Sequence, residues 1–342
     1  VQWNGFKRGY DLAVAGAALG YVGVFVGVGV LLRGGDHGIS PEVLAIRALG
    51  TCGFAMLNVI LCIGPLARLD RRFLPLLYNR RHLGVATFCV GGLHALLATG
   101  YYHGFGVWAA PVSLLAGNTA YRSVSGFPFE LLGLGALVIL FLMAATSHDF
   151  WLKNLGARAW KWLHMGVYLA WGLLVMHVAL GALQSERSGV YSGMLWAVVL
   201  VVPGLHVLAG FRSRDPGGRV EGGKWVDVCA VSELEVGRGR VARVAGGERI
   251  ALFRDEAGVH AMSNVCAHQG GPLGEGRIVG GCVTCPWHGF QYQAKDGCAP
   301  PPFTEKLPTY RVRVVKGRVE VDPKALPPGT ETAPGFELGG EA

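Results

Sequence analysis

The chain has 342 residues, 51% of them hydrophobic, with a mean hydropathy of +0.38 and a formal net charge of +8. That apolar content excludes a disordered chain and a purely water-soluble enzyme. Residues 1–211 carry 14 Lys/Arg and 7 Asp/Glu while residues 212–342 carry 17 and 16, so a membrane-embedded part precedes a small water-soluble one.

Six apolar stretches, near residues 12–32, 43–64, 83–103, 129–147, 160–182 and 194–211, approach the roughly 20 residues needed to cross a bilayer. The first is long for a secretory signal and has no small-residue cleavage site after it, so it is expected to stay in the mature protein. Cys52, Cys62 and Cys89 fall in these stretches and read as small core residues. Lys7, Arg8, Arg68, Arg71, Arg72, Arg80, Arg81, Lys153, Arg158, Lys161, Arg212, Arg214 and Arg219 fall in connections on one side, against Arg33, Arg122 and Arg187 on the other. This asymmetry places both termini in the cytoplasm, as expected for a multi-pass protein of a bacterial inner membrane. The positive charge serves loops facing anionic lipid; no nucleic-acid motif is present, so the lipid bilayer and not a nucleic acid is the expected partner.

Ionisable side chains inside a membrane are functional candidates. The third stretch carries His82 at its inner edge and His94, and the fifth carries His164 and His177. The spacings of 12 and 13 residues correspond to about 18 and 19.5 Å of helix, so His82 matches His164 in depth and His94 matches His177. Any single histidine is read most simply as a core imidazole bonded to a backbone carbonyl. Two matched rows instead fit a pair of stacked b haems, each iron held from both faces. A 12-residue step turns His82 about 120° from His94 around an ideal helix, and Gly91-Gly92 between them permits a local change in winding. His103 and His206 have no partner at equal depth and read as supporting or interfacial.

The run Arg80-Arg81-His82-Leu83-Gly84, His94, Thr146-Ser147-His148-Asp149, Leu155-Gly156, Trp160, Leu163-His164, Tyr168 and His177 resembles the ferric reductase-like transmembrane domain over roughly residues 40–211. The resemblance implies a six-helix bundle that holds b haems and passes electrons across the membrane. It also implies a place near the outer haem for Arg47, whose guanidinium can pair with a haem propionate. Oxidases of this superfamily carry a further histidine four positions after the outer ligand of the third helix. Ala98 stands there, which argues against direct oxygen reduction.

A turn-rich linker over 212–223 leads into short alternating runs such as Arg249-Ile250-Ala251-Leu252-Phe253, read as a small all-β domain over 224–322. A Pro/Gly/Glu-rich tail, 323–342, is expected to be extended or disordered. The fold class is therefore a membrane all-α six-helix bundle followed by a small all-β domain. Cys266-Ala267-His268 and, 16 residues later, Cys285-Pro286-Trp287-His288-Gly289 offer two Cys and two His on two short loops, a donor set for one tetrahedral zinc or for a [2Fe-2S] cluster. With Gly270-Gly271-Pro272-Leu273, these motifs resemble the Rieske family. The resemblance implies that Cys266 and Cys285 hold the inner iron and that His268 and His288 hold the iron nearer the surface. Rieske proteins of quinol-oxidising complexes have an extra cysteine in each loop; Gly271 and Trp287 occupy those places. Phe290 stands where a hydroxyl would bond a cluster sulfur, so a ferredoxin-type centre of low potential, about −150 mV, is expected. Cys282 and Cys298 lack ligand spacing and read as structural thiols.

No G-x-G-x-x-G follows a strand, so no flavin or nicotinamide site is evident. Ferric reductases and NADPH oxidases place such a domain where this chain has its Rieske-like one. Too little chain follows that module for the catalytic domain of a Rieske oxygenase. The resemblances imply electron transfer from a cytoplasmic reductant, a flavoprotein or ferredoxin, through the cluster and two haems to a periplasmic acceptor. The alternative is a non-catalytic redox subunit of a larger respiratory or photosynthetic complex.

Overall fold

The computed structural model describes residues 5–33, 39–73, 76, 79–185, 189–212, 225–244, 249–268, 270–286, 289–301 and 303–336. The chain divides into two compact units, residues 1–65 with 79–207 and residues 66–78 with 208–342. The first is helical: α1 (Gly5–Arg33), α2 (Pro41–Leu69), α3 (Arg80–His103), α4 (Ala110–Ala116), α5 (Glu130–Ala145), α6 (Asp149–Leu180), α7 (Ala182–Ser185) and α8 (Gly189–Arg212).

Five of the described helices, α1, α2, α3, α6 and α8, have apolar stretches long enough to cross a membrane. The sequence-based count of six needs a correction at the fourth stretch, 129–147, where α5 has only 16 residues. At 1.5 Å per residue that is about 24 Å, short of a 30 Å hydrocarbon core. Its end is set by hydroxyls that turn back on the last carbonyls: Thr146 Oγ1 donates to Leu142 O (2.6 Å) and Ser147 Oγ to Met143 O (2.6 Å). His148 then caps α6, its Nδ1 accepting from the Phe150 N–H.

Leu57 and Leu61 of α2, Ala136 and Leu140 of α5, Ala170 of α6 and Val202 of α8 form the buried centre of this unit. Ala136 and Ala170 are fully buried, as small residues are where membrane helices approach closely. One polar pair sits beside this core. Trp171 Nε1 donates to Asn58 Oδ1 (2.8 Å), and Asn58 Nδ2 donates to Phe54 O (2.7 Å), which satisfies groups that lipid cannot.

Among the described residues the second unit holds ten strands: β1 (Val226–Ala230), β2 (Gly239–Arg243), β3 (Arg249–Asp255), β4 (Gly258–Ser263), β5 (Arg277–Val279), β6 (Cys282–Thr284), β7 (Gln291–Gln293), β8 (Thr309–Tyr310), β9 (Val312–Val315) and β10 (Arg318–Val321). They form three antiparallel sheets, ordered β1-β10-β9, β2-β3-β4-β8 and β5-β6-β7. One core lies among β1, β3, β4, β9 and β10; a second, with Ala251, Phe253, Met262, Leu273 and Tyr292, encloses Cys266 and Cys285. The segment 323–336 runs extended against the sheets: Leu326 N–H donates to Thr309 O, Gly329 N–H to Leu307 O, and Gly335 exchanges both backbone bonds with Val259.

Replacing Trp171 with Phe removes the donor to Asn58 while keeping most of the aromatic volume. It is expected to cost about 0.6–2 kcal/mol, read as a lower unfolding temperature of the detergent-solubilised protein with unchanged helix content.

Candidate cluster and haem centres

In the β unit, two loops share one turn geometry. In the first, the Cys266 N–H donates to Gly271 O (2.9 Å) and Cys266 O accepts from the Gly270 N–H (2.7 Å). In the second, the Cys285 N–H donates to Phe290 O (2.8 Å) and Cys285 O accepts from the Gly289 N–H (3.0 Å). Gly270 and Gly289 adopt φ of +69° and +68°, left-handed backbone in which a side chain is strained. Each loop thus folds back four residues after its cysteine, and the two thiols are 2% and 1% exposed.

Tyr292 on β7 lies between the loops. Its hydroxyl accepts from the His268 N–H (3.2 Å) and is 3.3 Å from Cys266 Sγ, so it would donate to that sulfur once the thiol proton is lost to a metal. Burial, together with the charge and hydrogen bond of Cys266, pushes the phenol above its ordinary range, which keeps it protonated as a donor. The His268 ring stacks on Phe290 with centroids 4.7 Å apart and planes at 8°, and Phe290 in turn packs edge-on against Phe303. Phe290 thus places an aromatic face against His268 and offers no hydroxyl at that position. Among the described residues no three His, Cys, Asp or Glu side chains are gathered at metal-binding distance; Trp287 and the fourth predicted ligand, His288, lie outside them. Two buried thiols on matching loops, with a phenol hydroxyl beside one sulfur, fit a cluster ligated by sulfur on its inner side.

In the helical unit, His94 Nδ1 donates to Ile46 O and His177 Nδ1 to Phe129 O, each at 2.9 Å. A carbonyl can only accept, so Nδ1 carries the proton and Nε2 keeps its lone pair for a metal. The core-histidine and ligand readings are therefore compatible. The two rings face each other with centroids 6.3 Å apart and planes at 86°. Metal–imidazole bonds of about 2.0–2.1 Å, with each ring centre about 1.1 Å further on, put two rings on opposite faces of one metal about 6.3 Å apart. Glycines make room for both: a Cβ on Gly50 would lie 2.9 Å from His94 Cε1, and one on Gly133 would lie 2.8 Å from His177 Cε1. The donor set and the cradle fit a haem at this level.

At the other level, His164 Nδ1 donates to Trp160 O (3.0 Å), and its ring stacks on Trp160 at 3.7 Å. Trp160 is itself held by Nε1 donating to Thr146 O (3.0 Å). His82 Nδ1 is 2.8 Å from Asp11 Oδ1 on α1. Among the described residues no ring contact joins His82 to His164 as one joins His94 to His177. Both nitrogens of His206 are engaged by other groups: Nδ1 donates to Val202 O and Nε2 is 3.1 Å from the Tyr168 hydroxyl. His103 Nδ1 is 2.9 Å from Ser113 Oγ on α4. Arg47 is half-buried, next to the Ile46 carbonyl that orients His94.

Residues 49–175 match the ferric reductase like transmembrane component family, and residues 224–311 match the Rieske [2Fe-2S] domain. The haem-binding subunit MsrQ of protein-methionine-sulfoxide reductase from Ralstonia nicotianae is 30% identical over 174 residues, 50% of this chain and 73% of that protein. The ferredoxin subunit of anthranilate 1,2-dioxygenase from Burkholderia cepacia is 42% identical over 102 residues, 29% of this chain and 92% of that protein. A solved chain from the oxygenase–ferredoxin complex of carbazole 1,9a-dioxygenase is 30% identical, covers 30% of this chain and 96% of its own, and has a TM-score of 0.28. The chain belongs to the ferric reductase-like transmembrane family and, in its C-terminal part, to the Rieske [2Fe-2S] family. It is a multi-pass membrane protein of redox type.

Sequence reasoning missed four contributors to these centres. Tyr292 had a signal, since it lies two residues after Phe290 and strand alternation turns both inward. Asp11 had one as well, an acid opening an apolar helix. Gly50 and Gly133 were marked by an internal correspondence: Ile46, Gly50 and His94 recur 83 residues later as Phe129, Gly133 and His177.

Two outcomes follow. Tyr292→Phe removes one hydrogen bond to a cluster sulfur, and a bond of about 0.5–1.5 kcal/mol corresponds to a one-electron potential lower by about 20–65 mV, measured by redox titration of the Rieske EPR signal. Gly133→Ala, or Gly50→Ala, forces an imidazole of the ferric reductase-like domain out of place. Each is expected to reduce haem content per chain, measured by pyridine haemochrome assay, with the Rieske signal unchanged.

Proposed function

We propose that this protein is a transmembrane electron conduit running from cytoplasm to periplasm in a bacterial inner membrane, with both termini cytoplasmic. The observation that carries the reading is the pair His94 and His177, whose rings lie 6.3 Å apart and each of which gives its Nδ1 proton to a main-chain carbonyl, leaving Nε2 available to a metal. In this reading His94 and His177 hold the outer haem, His82 and His164 the inner haem, and Arg47 pairs with an outer propionate. Cys266, His268, Cys285 and His288 hold the [2Fe-2S] cluster. The bound groups supply one-electron carriers at three levels; the chain binds, orients and insulates them.

Electrons from a cytoplasmic flavoprotein or ferredoxin enter at the His268 side of the Rieske domain, cross at the two histidine levels and leave to a periplasmic acceptor. The haem-binding name of the MsrQ relative and the ferredoxin name of the dioxygenase relative support the two halves of this route, and the positive charge of the cytoplasm-facing connections supports the orientation. Each electron moved across works with or against about 2.3 kcal/mol per 100 mV of membrane potential. A second reading, a non-catalytic redox subunit of a larger respiratory or photosynthetic complex, is favoured by one observation: both relatives are themselves named as subunits.

The test is haem quantitation, a reduced-minus-oxidised spectrum and low-temperature EPR on the purified full chain. Two b haems per chain and a Rieske signal are expected. One haem per chain would remove the His82/His164 centre, and a zinc ion in place of the EPR signal would remove the cytoplasmic end of the route. Copurification with other chains at fixed stoichiometry would decide for the second reading.

A further inference from the structure

We propose that Asp11 is a positioning residue that lowers the potential of the inner haem and so makes electron flow outward downhill. The proposal rests on the two-haem reading above and adds to it an order of potentials set by the chain itself.

The four histidines differ in what receives their Nδ1 proton. His94, His164 and His177 give it to the main-chain carbonyls of Ile46, Trp160 and Phe129. His82 alone gives it to a carboxylate, Asp11 Oδ1, at 2.8 Å. Asp11 belongs to α1, which lies wholly before the matched ferric reductase-like segment, residues 49–175. Both side chains are largely covered, 24% and 34% exposed, so water screens the contact only in part.

A charged acceptor takes a larger share of the Nδ1 proton than a carbonyl does and makes the opposite nitrogen more basic. A more basic axial nitrogen, with a negative charge one ring away, favours the ferric over the ferrous state. At the outer level both rings donate to neutral carbonyls, and the Glu130 carboxylate acts on His177 without bonding its Nδ1. One electron passing outward therefore oxidises the inner iron from ferrous to ferric and reduces the outer iron from ferric to ferrous. The proton on His82 Nδ1 stays in place. Arg80 and Arg81 act electrostatically on His164 at the same level; an Asp11 variant retains both, so the comparison isolates the carboxylate.

The experiment is a potentiometric titration of the haem absorption of the full chain in lipid nanodiscs, for the unsubstituted protein, Asp11→Asn, Asp11→Glu and His82→Ala. The unsubstituted protein should show two waves, of which His82→Ala loses the lower. In Asp11→Asn the lower wave should rise by about tenfold in the ferric/ferrous equilibrium, about 59 mV for one electron, with the upper wave unmoved. Asp11→Glu should keep the low potential. An unmoved lower wave in Asp11→Asn, or an equal shift of both waves, overturns the proposal. If Asp11→Asn loses the inner haem, retention of that haem at low potential in Asp11→Glu supports the carboxylate role, and equal loss in both overturns it. A single haem in the unsubstituted protein would instead overturn the two-haem reading, before any Asp11 variant is compared.

Discussion

An imidazole that gives its Nδ1 proton to a fixed acceptor has only one nitrogen left for a metal, and its direction is set by the acceptor. Everything in the helical unit depends on that constraint. The Ile46 carbonyl aims His94, and the Phe129 carbonyl aims His177. One turn further along each acceptor's helix, Gly50 and Gly133 leave space that any Cβ would fill. Acceptor, glycine and histidine recur in the two halves with the same intervals, so the facing geometry at 6.3 Å is the meeting of two similar devices.

The β unit solves a related problem with sulfur. Two cysteines are buried by loops that reverse at Gly270 and Gly289, and the loops' backbone bonds fix each Cβ direction. Tyr292 then ties the first loop to β7, its hydroxyl accepting from the His268 backbone and lying 3.3 Å from Cys266 Sγ. Phe290 holds the His268 ring by stacking. Polar and apolar contacts divide the task, since a hydrogen bond to sulfur changes the charge balance of a centre, whereas a stacked ring fixes a ligand's plane without adding charge.

Much of this was legible in the residue order. The apolar stretches announced membrane helices because about 20 consecutive apolar residues have few other uses. Depth matching paired His94 with His177 because rise per residue is constant along a helix. The Cys-x-His and Cys-Pro-Trp-His-Gly runs marked the Rieske loops because each places a thiol and an imidazole within one short turn. The fourth apolar stretch reads longer than the helix it forms, since Thr146 and Ser147 are small and uncharged and so do not visibly break the run, while their hydroxyls bond back to the last turn where the helix ends.

What the order of residues determined by itself was the existence of the two parts, the membrane helices, and which atoms are capable of holding metals. Those properties follow from composition and spacing along a single element. Only the tertiary structure decided which acceptor each imidazole uses, that Tyr168 occupies His206, that Asp11 reaches His82 from another helix, and that a phenol rather than a hydroxyl after His288-Gly289 meets the Cys266 sulfur. Apart from the acceptors of His164 and His206, which lie four residues back on the same helix, these join residues distant along the chain, and a contact between elements depends on packing angle and register, which spacing within one element does not encode.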